Sequence, residues 1–257
     1  YSLINPRTGS RFWKFADTKD KKRGSFAELE NIINSTKEYY SRFLILRGEI
    51  ERAPETYMGS SDELRNSGNP KIKNYRAQIT ELDAMIDSIN KLSQSLSAHK
   101  ENDLAKEEEG LQSKQKLFLD NLGQARLICY EELAIINNKS GKQALAETKQ
   151  RYDNFKNDFN KQKNNKSDKI GPAEIRKELL SLKEIIRLDT RLLNNFIRNT
   201  DSSGASASKI FAENKLDIEK TIASLKNLSG VVETDLANTE STLLKIQLAK
   251  NEADLRF

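Results

Sequence analysis

The sequence predicts an all-α fold: an elongated antiparallel helical bundle with a protruding loop or small β-hairpin. Three observations carry that prediction. Apolar residues recur at steps of three and four along most of the chain. Only 36% of the 257 residues are hydrophobic while 32% are charged, a balance that suits helices burying one stripe and solvating the rest. Four prolines and eleven glycines are too few to punctuate a loop-rich all-β fold. The whole chain, residues 1–257, is expected to form a single elongated domain. Because it begins at Tyr1 without a Met and ends within a helical pattern, it reads as part of a longer protein.

Residues 1–24 mix aromatics with Gly, Pro and a basic cluster of Lys19, Lys21, Lys22 and Arg23. No clean period runs through them, so an irregular arm is expected, with Phe12, Trp13 and Phe15 as a local plug. Ser25 followed by Glu28 forms a capping box, and Leu29, Ile32, Ile33, Tyr40, Phe43, Leu44 and Ile50 follow at helical spacing. A helix over about 25–52 results, stopped before Pro54. Residues 59–70 read as a polar connector in which Asn69 and Pro70 supply an N-cap and a first-turn proline.

The cleanest period belongs to residues 72–96, where Ile72, Tyr75, Ile79, Leu82, Ile86, Ile89 and Leu96 trace a coiled-coil seam with Ser93 as its one polar lapse. A turn is expected near 100–103, beside His99. From Leu104 the pattern resumes through Leu111, Phe118, Leu122, Ala125, Cys129, Leu133 and Ile136, then through Leu145, Tyr152, Phe155 and Phe159. One very long helix, or two nearly collinear ones, covers about 103–160. Its second half is thin in aliphatics and rich in Asn and Lys, and is expected to project from the body.

Residues 161–173 read as a polar, basic protruding loop with one isoleucine near its tip. From Glu174 a further helix runs through Ile175, Leu179, Leu182, Ile186, Leu193 and Phe196 to about Asn199. A small-residue linker over 201–208 precedes a final segment through Phe211, Ile218, Ile222, Leu225, Val232, Leu236, Leu243 and Ile246. That segment is one helix bent or broken at Ser229-Gly230, or two. No fixed-period repeat appears, so a solenoid is not expected.

Chemistry is hard to find in this composition. General acid–base or nucleophilic work needs a His, a Cys or paired carboxylates in a dry cleft. The chain offers one of each: His99 lies in a charged turn, and Cys129 lies on an apolar stripe, where a buried packing thiol is the expected role. Zinc, calcium and phosphate-loop motifs are absent. The expectation is a protein that is not an enzyme, with no catalytic residues, no metal and no cofactor. The formal charge of +5 arises from 43 basic and 38 acidic residues, interleaved on helix faces, so no nucleic-acid partner is expected. No apolar run reaches the length of about 18 residues that a membrane span needs. A lone cysteine excludes an internal disulfide and fits a reducing compartment.

Function must then come from surface, and two features could supply it. One is the 72–96 seam, which could pair with another helix. The other is the loop, where Ile170 stands beside Gly171 and Pro172. Burying such a side chain in a partner's pocket contributes about 1.5 to 3 kcal/mol. Pro172 lowers the ordering cost by pre-setting the backbone, and Gly171 can take the positive φ of a tight turn.

A long helical chain carrying Ile170-Gly171-Pro172 on a protruding loop resembles the N-terminal part of RidL-type effectors, which the bacterium Legionella secretes and which target host retromer. The resemblance spans all 257 residues. It implies a β-hairpin whose tip enters a hydrophobic pocket on the small, metallophosphoesterase-like subunit of retromer. Ile170 would be the plug, Pro172 a second apolar contact and Gly171 the turn between them, with Lys169 and Asp168 at the rim. It further implies displacement of a host TBC-domain RabGAP, inhibited endosome-to-Golgi transport, and a place in the host cytosol, on endosomes and at the pathogen vacuole. The residues themselves do not predict strands over 161–169, which hold almost no β-branched or aromatic side chains. A monomer is expected on this reading. A structural coiled-coil scaffold that self-associates through the 72–96 seam is the alternative.

Overall fold

A computed structural model describes residues 25–51, 70–98, 104–164, 171–200, 205 and 208–254. Five α-helices account for nearly all of them: α1 (Ser25–Glu51), α2 (Pro70–Ala98), α3 (Ala105–Asn164), α4 (Pro172–Thr200) and α5 (Lys209–Asp254). Among the described residues there is no strand, and the all-α expectation holds. Two compact units emerge. The first holds α1, α2 and α3 as far as Leu133; the second holds α3 from Ala134 onward together with α4 and α5.

In the first unit the 72–96 stripe is spent on internal packing. Tyr75, Ile79, Leu82, Met85, Ile89 and Leu96 are all buried, and Leu96 joins Leu29, Ile32, Ile33 and Leu111 in one cluster. Phe118 of α3 is fully buried, and the rings of Tyr40 and Phe43 meet it edge-on at centroid distances of 5.3 and 5.5 Å. The polar lapse at Ser93 has a partner. Its hydroxyl donates to Gln115 Oε1 (2.8 Å), Gln115 Nε2 donates to Thr36 Oγ1 (3.2 Å), and Thr36 Oγ1 donates to the carbonyl of Ile32 (2.7 Å). Thr36 and Gln115 are fully buried. A connected chain of this kind ties α1, α2 and α3 in one register, because sliding any helix strands a buried donor or acceptor.

In the second unit, ion pairs report helix direction. Arg176 with Glu240 and Lys183 with Glu233 run in opposite senses along α4 and α5, so these two are antiparallel. Asn138 with Asn214, Lys142 with Asp217 and Lys156 with Asp235 rise together, so α3 and α5 run parallel. Ile175, Leu179, Leu182, Ile186, Leu193 and Phe196 of α4 face Phe211, Ile218, Ile222, Leu225, Val232 and Leu236 of α5 across the core.

The second half of α3 does not project, contrary to expectation. Ala144, Thr148 and Tyr152 are buried, and Arg151 and Tyr152 bind Glu178 and Asp235 on the neighbouring helices. The contact face is made of small residues instead of large aliphatics, which is why the sequence looked too polar to pack. At Gly141 a Cβ would stand 3.1 Å from both Leu193 methyls and 3.6 Å from Thr221 Cγ2; glycine there lets the helices approach closely.

Two further differences concern helix bounds. α5 is continuous through Ser229-Gly230; the flanking Leu225, Leu228, Val232 and Leu236 are buried, and that burial outweighs the cost of about 1 kcal/mol for a helical glycine. The 161–173 loop is shorter than expected, since α3 runs through Asn164 and α4 begins at Pro172. Residues 165–170, on which the hairpin expectation rests, lie outside the described residues, as do the arm over 1–24, Pro54, Asn69 and His99.

Candidate partner-binding site

The start of α4 is built by a short, self-consistent stretch, Gly171-Pro172-Ala173-Glu174. Gly171 is the N-cap. Its carbonyl accepts from the amides of Glu174 (2.9 Å) and Ile175 (3.1 Å), and its own N–H donates to Glu174 Oε2 at 3.2 Å. The last of these bonds is the returning half of a capping box. Pro172 occupies the first helical position, where its fixed φ matches the helix and its missing N–H costs nothing. Gly171 is thus an N-cap in the described structure, and Pro172 is half-buried against its own unit.

Both residues line an apolar groove of about 420 Å³ at this end of the second unit. Phe155 and Phe159 of α3 form one wall, Pro172, Ile175 and Leu179 of α4 the other, and Asn238, Thr239 and Thr242 of α5 close it. Each apolar pair is spaced by four, so each presents one helix face. The sequence places all of these residues but Pro172 on helices, and the groove escapes it because it forms only where the end of α3 and the start of α4 meet on α5.

Beside the groove, Tyr152 Oη and Lys156 Nζ both donate to Asp235 Oδ2, at 2.6 and 2.7 Å. Burial alone would raise the Asp235 carboxyl, but the two donors outweigh it and hold it below the usual carboxylate range. Tyr152 is pushed up by burial and by its bond to the carboxylate, and Lys156 is pushed up chiefly by its own bond to that carboxylate. A carboxyl depressed in the folded state contributes stability above its unfolded pKa and loses it as pH falls through the folded value. Asp235→Asn is therefore expected to flatten the fall in melting temperature below about pH 4. An unchanged acid limb would show that the triad carries no linkage.

Of the five residues assigned to partner binding, Gly171 and Pro172 come together at the groove, whereas Asp168, Lys169 and Ile170 lie outside the described residues. Along the 72–96 seam Tyr75, Ile79, Leu82, Ile89 and Leu96 are buried within the first unit, while Ile72 and Ile86 are half-buried. Cys129 is fully buried as expected, with Sγ 3.8 Å from Gln78 Oε1. Burial, reinforced by the charge of Glu132, pushes its thiol up to about 12. It should resist alkylation at pH 8 in the native chain and react within minutes once the chain is unfolded in denaturant; fast native labelling would contradict this burial. Among the described residues, no group of three or more His, Cys, Asp or Glu is arranged to hold a metal ion, and no helix is long and apolar enough to cross a membrane.

No protein-family model matches the chain, no curated protein matches it, and no solved structure matches its fold.

Proposed function

We propose that the chain is a protein-interaction module of a secreted bacterial effector. Its working element is the approach to α4, with Ile170 as an apolar plug for a hydrophobic pocket on the small, metallophosphoesterase-like subunit of host retromer. Occupation of that pocket displaces a host TBC-domain RabGAP and inhibits retrograde endosome-to-Golgi transport. The module acts in the host cell, in the cytosol, on endosomes and at the pathogen vacuole.

One observation supports this reading above the others. The backbone next to Ile170 is anchored by three hydrogen bonds at Gly171 and by the ring of Pro172. A plug joined to a rigid helix end loses less conformational freedom on binding than one in a free loop. The same observation narrows the roles given by resemblance. Gly171 and Pro172 serve as anchors of α4, and Ile170 carries the contact, with Lys169 and Asp168 at the rim.

Capture from host lysate tests the proposal. The intact chain should retain retromer, identified by mass spectrometry, and the Ile170→Ser chain should not. Equal recovery by both would refute it.

A further inference from the structure

We infer that the groove of the second unit is a binding site in its own right, for an uncharged single-chain amphiphile: an alkyl chain ending in a hydroxyl. At about 420 Å³ it falls within the range of roughly 300 to 1,000 Å³ typical of small-molecule sites. Its residues lie in the second unit alone. On the α3 side, Phe155 and Phe159 stay half-buried, whereas Ala144, Thr148 and Tyr152, earlier on the same helix, are buried. Two rings thus face Pro172, Ile175 and Leu179 across open space, and an alkyl chain laid between the two walls removes apolar surface from water on both.

The third side is polar, and it selects the head. The buried stripe of α5 runs through Leu225, Leu228, Val232 and Leu236, and its next step falls on Thr239, so a hydroxyl stands where the period calls for an aliphatic. Thr239 Oγ1 donates to the carbonyl of Asp235 (2.8 Å) and Thr242 Oγ1 to that of Asn238 (2.9 Å). Both protons are committed while both oxygens remain acceptors, and the exposed Asn238 carboxamide adds donors. A ligand hydroxyl, which donates and accepts, matches that set.

Charge disfavours the ionic heads. The charges lining the groove, Lys156 and Asp235, pair with each other at 2.7 Å. A carboxylate drawn to Lys156 therefore meets Asp235, and an ammonium drawn to Asp235 meets Lys156. Either head gives up its water for little net attraction.

Methyl NMR titrations of the intact chain test this, with n-hexanol, n-octanol, n-decanol, decanoate and decylamine as probes. Decanol should shift the Ile175 and Leu179 methyl signals saturably, and affinity should rise about fourfold per methylene along the alcohol series. Decanoate and decylamine should bind at least about tenfold more weakly. Thr239→Val keeps the shape of the side chain, removes its acceptor, and should weaken decanol binding about fivefold at a parent-like melting temperature. Should that variant melt lower, Thr242→Val, at an exposed position, carries the same expectation. No saturable shift of these methyls in the parent chain overturns the site. Decanoate or decylamine binding as tightly as decanol overturns the uncharged head, and parent-like decanol affinity in both threonine variants overturns recognition of the hydroxyl.

Discussion

Phe118→Ala is expected to lower the stability of the chain by about 3 to 5 kcal/mol, the range for removing a buried aromatic ring. Phe118 has no exposure to solvent and is met by the rings of Tyr40 and Phe43. Its loss removes apolar burial, two edge-on aromatic contacts and the filling of a fully buried site between α1 and α3. Collapse around the void is resisted nearby, because Gln115 is held by Ser93 and Thr36. Urea unfolding followed by far-ultraviolet circular dichroism checks the prediction. A loss below about 1 kcal/mol would mean that the first unit is loosely packed around α3.

Ile170→Asp is expected to abolish partner binding while leaving helicity and melting unchanged. Two losses combine. The isoleucine's burial, about 1.5 to 3 kcal/mol, disappears, and a carboxylate entering an apolar pocket without a partner costs several kcal/mol more. Together they weaken binding by at least about a thousandfold. The helix end should survive. Its cap is made by the Gly171 backbone and the Glu174 carboxylate, and its core by Ile175 and Leu179. A drop in melting temperature accompanying the lost binding would instead show that the residue supports the fold.

Much of this architecture was legible in the residues. The helix expected over about 25–52 runs from Ser25 to Glu51, carried by its apolar period. Pro70 opened α2, and the stripe through Leu82, Ile89 and Leu96 named the buried face. Period and first-turn proline are local signals, so local reading suffices. What escaped was nonlocal. Gly141, Ala144 and Thr148 make a close-packed face out of small residues, and a search for large aliphatics passes over it. Gly230 signalled a break that the buried residues on either side overrode.

The candidate site divides along the same line. Gly-Pro at 171–172 was visible as an interruption of the helical pattern, and its flexible glycine and stiff proline suggested a turn. Its conversion into an N-cap depends on Glu174, three residues on, which read as the opening of the next helix. Sequence could not have shown that Pro172 faces Phe155 and Phe159, because that proximity comes from α3 and α4 sharing one end of a unit.

The central claim, that this chain occupies a pocket otherwise used by a host RabGAP, is tested most directly by calorimetric competition on the isolated small retromer subunit. Titrated alone, the chain should bind with one-to-one stoichiometry. Titrated into a subunit saturated with a peptide of that host RabGAP, its apparent affinity should fall in proportion to peptide occupancy. No binding to the subunit, or binding that the peptide leaves untouched, would contradict the account.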